Sequence, residues 1–178
     1  MTRSSYKVFE TEYPYLVTCS IVNWLPLFWI PATVQIILDS LEFHQQQRGL
    51  TLYAYVVMEN HLHLVCQSDQ LPQNMRTFKS YTARQIIDLL KKNGNSFYLN
   101  KLKQQKLGHH RDSEFQLWQE GYHPKQIIGD DMMIQKIEYV HNNPVQRGYI
   151  DNPEDWRYSS AADYYGQKGV IPITKFKK

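Results

Sequence analysis

Alternating hydrophobic and polar positions mark three early stretches of the chain as β-strands, because successive side chains of a strand point to opposite faces. The first, Tyr15–Val22, is β-branched and flanked by aromatic residues. The second, Leu52–Met58, and the third, His61–Cys66, are separated only by Glu59 and Asn60. This spacing predicts a hairpin with a two-residue turn.

Helical spacing of apolar residues marks the longer stretches. Pro31 is well placed to open the first helix, and Gly49 closes it. A second helix is predicted from about residue 74 to 93, and a third has Asp130 or Asp131 as its N-cap. Between them we expect a polar loop at residues 94–113 and a strand at residues 115–124 with a bulge at Gly121. The residues expected to face the core from the second and third helices are Met75, Phe78, Thr82, Ile86, Leu89, Met133, Ile137 and Val140.

This order of elements is not the regular alternation of a parallel fold. It predicts an α+β, ferredoxin-like architecture with a mostly antiparallel sheet and helices largely on one face. A chain of 178 residues is long enough for one domain with its own core. We therefore expect a single domain over residues 1–178, with a core at about 9–150 and a tail at about 151–178. A serine is expected to cap a short helix in the tail.

Composition narrows the class of protein. Hydrophobic residues make up 42% of the chain and charged residues 21%, which is ordinary for a globular protein. The most apolar segment, residues 25–38, contains two prolines and is too short to span a bilayer. We expect a cytoplasmic protein with no membrane contact. Cys19 and Cys66 have the setting of buried strand residues rather than of a disulfide.

The small net charge of +3 is concentrated in one stretch. Residues 71–111 contain nine Lys and Arg against one acid, Asp88, with Phe78, Tyr81, Phe97 and Tyr98 interleaved. Such a stretch is typical either of a solvated helix face with a flexible loop or of a surface that binds phosphates and stacks bases. Both interpretations stay open. The candidate DNA-binding residues are Arg76, Lys79, Tyr81, Arg84, Lys91, Lys92, Lys101 and Lys103.

Two pairs of residues carry candidate chemistry. His61 and His63 occupy alternate positions of one strand, so both imidazoles point to the same face and can share a divalent metal. For so short a motif, two half-exposed histidines beside a core strand are the commoner structure. Tyr139 and Asn143 are four residues apart and share a helix face just before Pro144.

Five motifs in order resemble the REP-associated tyrosine transposases, which are single-tyrosine DNA nucleases with a His-hydrophobe-His motif. The likeness extends over roughly residues 9–165 and rests on Glu59–His63, Phe78–Thr82, Leu117–Tyr122, Tyr139–Val145 and Trp156–Ser160. The resemblance implies that His61, His63 and Asn143 bind Mg²⁺ or Mn²⁺ and that Tyr139 is the nucleophile. Relatives from insertion sequences commonly have Gln where this chain has Asn143.

The implied activity is that of a transposase. It cleaves single-stranded DNA near hairpins of REP-like palindromes through a 5′-phosphotyrosine and rejoins the strands. Such a protein would associate with the nucleoid as a monomer or homodimer. Two alternatives remain from the residues alone: a non-catalytic nucleic-acid-binding module built on a ferredoxin-like sheet, and a metal-dependent phosphoesterase that uses water.

Overall fold

A four-stranded antiparallel sheet forms the centre of the fold in the computed structural model, which describes residues 10–104, 106 and 113–177. The strands are β1 (Tyr15–Ser20), β2 (Thr51–Val57), β3 (His61–Gln67) and β4 (Lys125–Gln126), and their order in the sheet is β2-β3-β1-β4. With a helix between β1 and β2 and helices between β3 and β4, this is the β-α-β-β-α-β arrangement of a ferredoxin-like fold. The predicted α+β class is confirmed.

The predicted hairpin of β2 and β3 is also present. The Met58 backbone N–H donates to the His61 carbonyl at 2.8 Å, which closes the turn around Glu59 and Asn60. The register pairs Val56 with His63, and an irregularity between Leu52 and Ala54 shifts the pairing by one residue.

Six α-helices follow in chain order within the described residues. They are α1 (Pro31–Gln47), α2 (Leu71–Lys92), α3 (Ser96–Gln104), α4 (Asp130–His141), α5 (Asn143–Gln146) and α6 (Ala161–Tyr164). Short 3₁₀ turns occupy Val22–Trp24, Leu27–Trp29 and Pro153–Asp155. None of the described helices is both long and apolar enough to cross a membrane.

The two faces of the sheet carry separate apolar clusters. On one face, Leu62, Leu64 and Cys66 pack with α1 and α2. On the other face, Val65 and residues of β2 pack with Met133, Ile137 and Val140 of α4. The alternation of β3 puts His61 and His63 on the face that α4 covers. The two longest helices thus share one face of the sheet, as expected, and α4 lies on the other.

Two predicted elements are wrong. The region expected to be a loop contains α3, where Leu102 is fully buried in the core and fixes the helix to it. The stretch at 115–124 forms no regular strand, because Gly121 and His123 have left-handed φ angles of 73° and 40°. An isolated bridge between Trp118 and Ile21 and scattered backbone hydrogen bonds, such as that from Thr18 N–H to the Tyr122 carbonyl at 3.0 Å, join this stretch to β1. The regular ladder with β1 is formed by β4 instead.

Finer details differ as well. Leu90, not Leu89, continues the buried stripe of α2. Neither Asp130 nor Asp131 caps α4, since the N-cap is Gly129 with no side-chain hydrogen bond. Near α6, the Ser159 hydroxyl accepts the Ala161 N–H at 3.1 Å, so a serine does hold the start of that short helix.

Candidate active site

His61 and His63 lie side by side on β3. Their ring centroids are 4.9 Å apart, and the two side chains retain only 4% and 6% of their exposure. The prediction that they share one face is confirmed, while the expectation of half-exposed rings is wrong. Burial on a rigid central strand fixes both imidazoles.

Neighbouring side chains engage the Nδ1 atom of each imidazole. His61 Nδ1 lies 2.7 Å from Asn60 Oδ1, and the orientation of that amide is set by its Nδ2, which donates to the Trp24 carbonyl at 3.3 Å. Because Asn60 Oδ1 can only accept, His61 carries its proton on Nδ1. His63 Nδ1 lies 2.8 Å from Thr18 Oγ1, which can accept in the same way. This arrangement leaves the Nε2 lone pair of His61 free and is compatible with the same tautomer of His63, as in metal sites where a second residue orients the ligand.

Both imidazoles are neutral at pH 7. Burial is the main cause that lowers the pKa of His61 to about 4; Arg147 lowers it further and Glu59 partly opposes this. Burial also lowers the pKa of His63 to about 3, with His61, Arg147 and Lys125 acting in the same direction. A neutral imidazole is the form that binds a metal.

Tyr139 and Asn143 reach the histidines from α4 and α5. The helical spacing continues from α4 into α5 because Asn142, the residue between them, has a φ of −81° and a ψ of −2°, which lie in the helical region. The ring centroids of Tyr139 and His63 are 5.3 Å apart, and Tyr139 is 39% exposed while Asn143 is 7% exposed. The four predicted residues line one cleft of about 400 Å³, together with Thr18, Trp24, Gln146 and Arg147.

The donor set of this cleft fits a divalent metal with mixed ligands. The described residues hold no cluster of three or more His, Cys, Asp or Glu side chains, so an all-protein site of that kind is absent from them. Two neutral imidazoles and the amide of Asn143 are present instead, and no described residue hydrogen-bonds to that amide. This set suits Mg²⁺ or Mn²⁺ with open positions for phosphate oxygens.

Arg147 is a cleft residue that the sequence analysis missed. It lies one further helical turn after Asn143, so Tyr139, Asn143 and Arg147 follow an i, i+4, i+8 pattern. Its Nη1 is 3.7 Å from Oε1 of the buried Glu59, and its side chain remains 47% exposed. Glu59 Oε2 is buried and forms no hydrogen bond within the described structure. The ion pair holds the guanidinium over the cleft without using its remaining donors.

A second cleft of about 470 Å³ adjoins the first and shares Thr18, Trp24, His63 and Tyr139 with it. Lys125 of β4 and Lys136 of α4 line this second cleft. Neither lysine belongs to the basic stretch that the sequence analysis singled out. The cations nearest to Tyr139 therefore come from three separate elements.

The predicted DNA-binding residues lie on α2 and α3, on the opposite face of the sheet from the histidines. Arg76, Tyr81 and Arg84 line a groove of about 690 Å³ between α1 and α2. Lys91 and Lys92 are exposed, Lys91 lying 5.0 Å from the centre of the Phe115 ring. On α3, Lys101 is half-buried, and Lys103 is paired with Glu114 at 3.1 Å. Arg111 of the same stretch lies outside the described residues.

Two members of that stretch are core or anchoring residues. Phe78 is 2% exposed and packs in the core, so it offers no free ring for a base. Lys79 donates from Nζ to the Gln119 carbonyl at 2.7 Å and to the Gly121 carbonyl. Burial lowers the pKa of Lys79, with Cys19 and Glu120 opposing. Its ammonium anchors the 119–121 segment, and we leave it out of the proposed DNA surface.

Comparison with known proteins gives one sequence relative. No family model matches the chain. A Haemophilus influenzae protein named "Putative REP-associated tyrosine transposase" is 27% identical over 107 residues, which is 60% of this chain. The alignment spans 56% of the length of that relative.

Solved structures give the same indication at the level of the fold. The structure of a REP-associated tyrosine transposase bound to a REP hairpin superimposes with a TM-score of 0.66, covering 99% of this chain and 94% of that one at 14% identity. A Deinococcus radiodurans protein described as a "putative transposase" is 19% identical over 80% of this chain, and its TM-score of 0.45 is too low to support an argument. The similarities in sequence and in fold confirm that this chain resembles the REP-associated tyrosine transposases.

Proposed function

We propose that this protein is a transposase-type enzyme that cleaves and rejoins single-stranded DNA next to a hairpin, with Tyr139 as the nucleophile. The observation that carries the proposal is the position of the Tyr139 ring, 5.3 Å from the His63 ring in a cleft that also contains Asn143. Tyr139 is 39% exposed, so DNA can reach the phenol beside the buried histidines.

The chemistry follows from these positions. The Tyr139 hydroxyl oxygen attacks phosphorus, and the bond between phosphorus and the 3′ oxygen breaks. The phenol proton passes to solvent, which reaches the ring, and the leaving 3′ oxygen takes up a proton. The product is a 5′-phosphotyrosine with a free 3′-hydroxyl. Because one phosphoester replaces another, the reverse attack by a 3′-hydroxyl rejoins strands without ATP.

The remaining cleft residues bind and orient the phosphate. His61, His63 and Asn143 would hold Mg²⁺ or Mn²⁺, which supplies charge stabilisation at the phosphate. Asn60 Oδ1, which can only accept, fixes the tautomer of His61, and the Thr18 hydroxyl can accept from Nδ1 of His63 in the metal-binding tautomer. The Arg147 guanidinium, held by Glu59, offers further donors to a non-bridging oxygen.

The relatives supply the substrate class. The Haemophilus relative is named as a REP-associated transposase, and the structural neighbour binds a REP hairpin. We carry both properties to this chain as part of the proposal. We also propose that residues 1–178 act as one catalytic unit on nucleoid DNA in the cytoplasm. Basic and aromatic side chains of α2 and α3 would then form a second DNA-binding surface, the proposed residues being Arg76, Tyr81, Arg84, Lys91, Lys92, Lys101 and Lys103.

Formation of a covalent adduct tests the nucleophile. A hairpin DNA with unpaired flanks is labelled on the 3′ side of the cut and incubated with Mn²⁺. We expect the wild-type protein to carry label in a denaturing gel and Tyr139→Phe to carry none. Tyr165→Phe is a matched control, since Tyr165 is 58% exposed and lines neither of the two adjoining clefts, and it should form the adduct as the wild type does.

The result separates the three functions considered for this chain. Cleavage by Tyr139→Phe at the wild-type rate would show that water or another residue is the nucleophile, as in a phosphoesterase. Binding without any cleavage by the wild-type protein would favour the non-catalytic module. A preference for plain duplex over hairpin or single strand in filter binding would contradict the proposed substrate.

Replacing the histidines tests the metal site separately. We expect His61→Ala or His63→Ala to abolish cleavage and to leave hairpin binding largely intact, because binding relies on phosphate and base contacts elsewhere. EDTA should reproduce both effects. A His63→Ala protein that still cleaved normally with Mg²⁺ or Mn²⁺ would show that the metal assignment is wrong.

A further inference from the structure

The indole of Trp24 stands exposed at the edge of the candidate active site. It is 54% exposed and contributes to the walls of both adjoining clefts, the one with the histidines and the one with Lys125 and Lys136. Its ring centroid lies 6.0 Å from that of His61 with the planes at 78°. A large apolar ring left in solvent between two polar clefts contributes little to the stability of the fold.

The backbone around Trp24 holds this position in an uncommon conformation. Asn23 and Trp24 have left-handed φ angles of 53° and 52°, which is unfavourable for a bulky side chain such as indole. The Trp24 N–H donates to the Ile21 carbonyl at 3.1 Å, and the Trp24 carbonyl accepts from Asn60 Nδ2 at 3.3 Å. Asn60 Oδ1 also accepts from His61 Nδ1. One amide therefore ties the backbone that presents the indole to the orientation of a proposed metal ligand.

The charges around the indole favour an anionic ligand. Arg147 lines the first cleft, and Lys125 and Lys136 line the second. No Asp or Glu among the described residues lines either cleft. Cations that track a backbone beside an exposed aromatic face are the arrangement by which proteins bind single-stranded nucleic acid. A base that is stacked within a duplex has no free face for such a ring.

We propose that Trp24 stacks with the base of an unpaired nucleotide next to the phosphate that Tyr139 attacks. The position of this nucleotide beside the attacked phosphate rests on the proposed function. The stacking contact itself does not require cleavage, because it joins a base to an indole outside the reacting atoms. By holding the flanking base, Trp24 positions the unpaired strand in the cleft.

A double-mutant cycle between the indole and the DNA tests this contact. Fluorescence anisotropy measures binding of a hairpin with unpaired flanks in EDTA, so that no strand is cut. Single abasic sites are placed at successive flank positions. For the wild-type protein we expect one position at which base removal weakens binding by about 5- to 150-fold, the range for one stacked base. For Trp24→Ala, the loss should already be present with intact DNA, and base removal at that position should cost nothing more.

Two variants control the interpretation. Trp24→Phe keeps an aromatic ring and should recover most of the affinity and of the coupling. Trp29→Ala removes an equally exposed indole, 58% exposed, that lines neither cleft, and it should leave the abasic profile unchanged. Full base dependence in Trp24→Ala, or equal weakening of a hairpin without flanks, would overturn the proposal.

The failure of this inference is distinguishable from failure of the proposed function. If Tyr139 forms the adduct but the cycle shows no coupling between Trp24 and any base, the proposed enzyme activity is supported and the stacking contact is contradicted. If the cycle shows coupling at Trp24 but no adduct forms, a binding site for unpaired bases is supported and the role of Tyr139 as nucleophile is contradicted.

Discussion

Thr18→Val should weaken divalent metal binding without disturbing the fold. The substitution keeps the β-branched shape of a strand residue and removes only the hydroxyl that lies 2.8 Å from His63 Nδ1. His63 is 6% exposed, so water has little access to replace that partner. Without it, nothing holds the proton on Nδ1, and the tautomer with a protonated Nε2 cannot bind a metal.

The size of the effect follows from two independent considerations. Leaving a buried donor without a partner costs about 1–3 kcal/mol. Removing the residue that orients a histidine ligand usually lowers metal affinity by about 10- to 100-fold, the equivalent of about 1.4–2.7 kcal/mol. The two ranges overlap. We therefore expect the dissociation constant for Mn²⁺ to rise by about 10- to 100-fold in Thr18→Val.

Electron paramagnetic resonance of free Mn²⁺ measures this constant directly. Thr18→Ser retains the hydroxyl and should bind within about threefold of the wild type, and His63→Ala gives the value for a lost ligand. Urea unfolding without metal should show that Thr18→Val still folds cooperatively and loses no more than about 3 kcal/mol, the upper cost of a buried donor without a partner. If Thr18→Val bound Mn²⁺ like the wild type while His63→Ala did not, the orienting role of Thr18 would be refuted.

Three further predictions concern the cleft and its supports. Arg147→Gln should lower the single-turnover rate of DNA cleavage by about 10²- to 10³-fold with Arg147→Lys in between, and a rate near wild type in Arg147→Gln would exclude a phosphate contact. Burial lowers the pKa of His141 to about 4, below its ordinary 6.5, so the unfolded chain binds the extra proton first as pH falls. The stabilisation from neutral His141 is complete above pH 6.5 and declines towards pH 4. Because His61 and His63 lose stability in the same range, the measure is a difference: in urea unfolding, the loss between pH 7 and pH 5 should be about 2 kcal/mol smaller in His141→Gln than in the wild type, and an equal loss would contradict the assignment. Lys79→Met should lower stability by about 3 kcal/mol because two backbone carbonyls lose a charged donor, and unchanged unfolding would show that this anchor is dispensable.

Much of the site could be predicted because its signals are local. The strand period placed His61 and His63 on one face, and the helical period placed Tyr139 and Asn143 on another. Each shared face is set by a few consecutive residues of one strand or helix, so it does not depend on which other elements pack against that strand or helix. The same helical period also reaches Arg147, but nothing in the sequence shows that α5 continues the face of α4 past Pro144. That continuation depends on the helical φ and ψ of Asn142, a property of the folded chain.

Long-range burial explains the elements that were missed. The loop prediction missed α3, a helix of nine residues inside a mostly polar stretch, which the fully buried Leu102 and the partly buried Tyr98 and Leu99 tie to the core. The 115–124 stretch alternates like a strand, but Lys79 holds its carbonyls from α2 and turns at Gly121 and His123 break the ladder. Exposure of Trp24 was equally invisible, since an aromatic residue in an apolar segment usually belongs to the core.

The irregular segment after residue 113 connects the histidine face of the sheet to the face that α2 covers. Gln119 lines the cleft with Lys125 and Lys136 on the histidine face, and it also lines a groove of about 880 Å³ with Arg84 and Lys91 on the α2 face. Backbone hydrogen bonds from Thr18 to Tyr122 and from Gln119 to Ser20 hold this segment beside β1, next to the two-residue strand β4. Under the proposed function, a DNA strand that crosses this edge of the sheet would contact both surfaces, and Gln119 would lie where they meet.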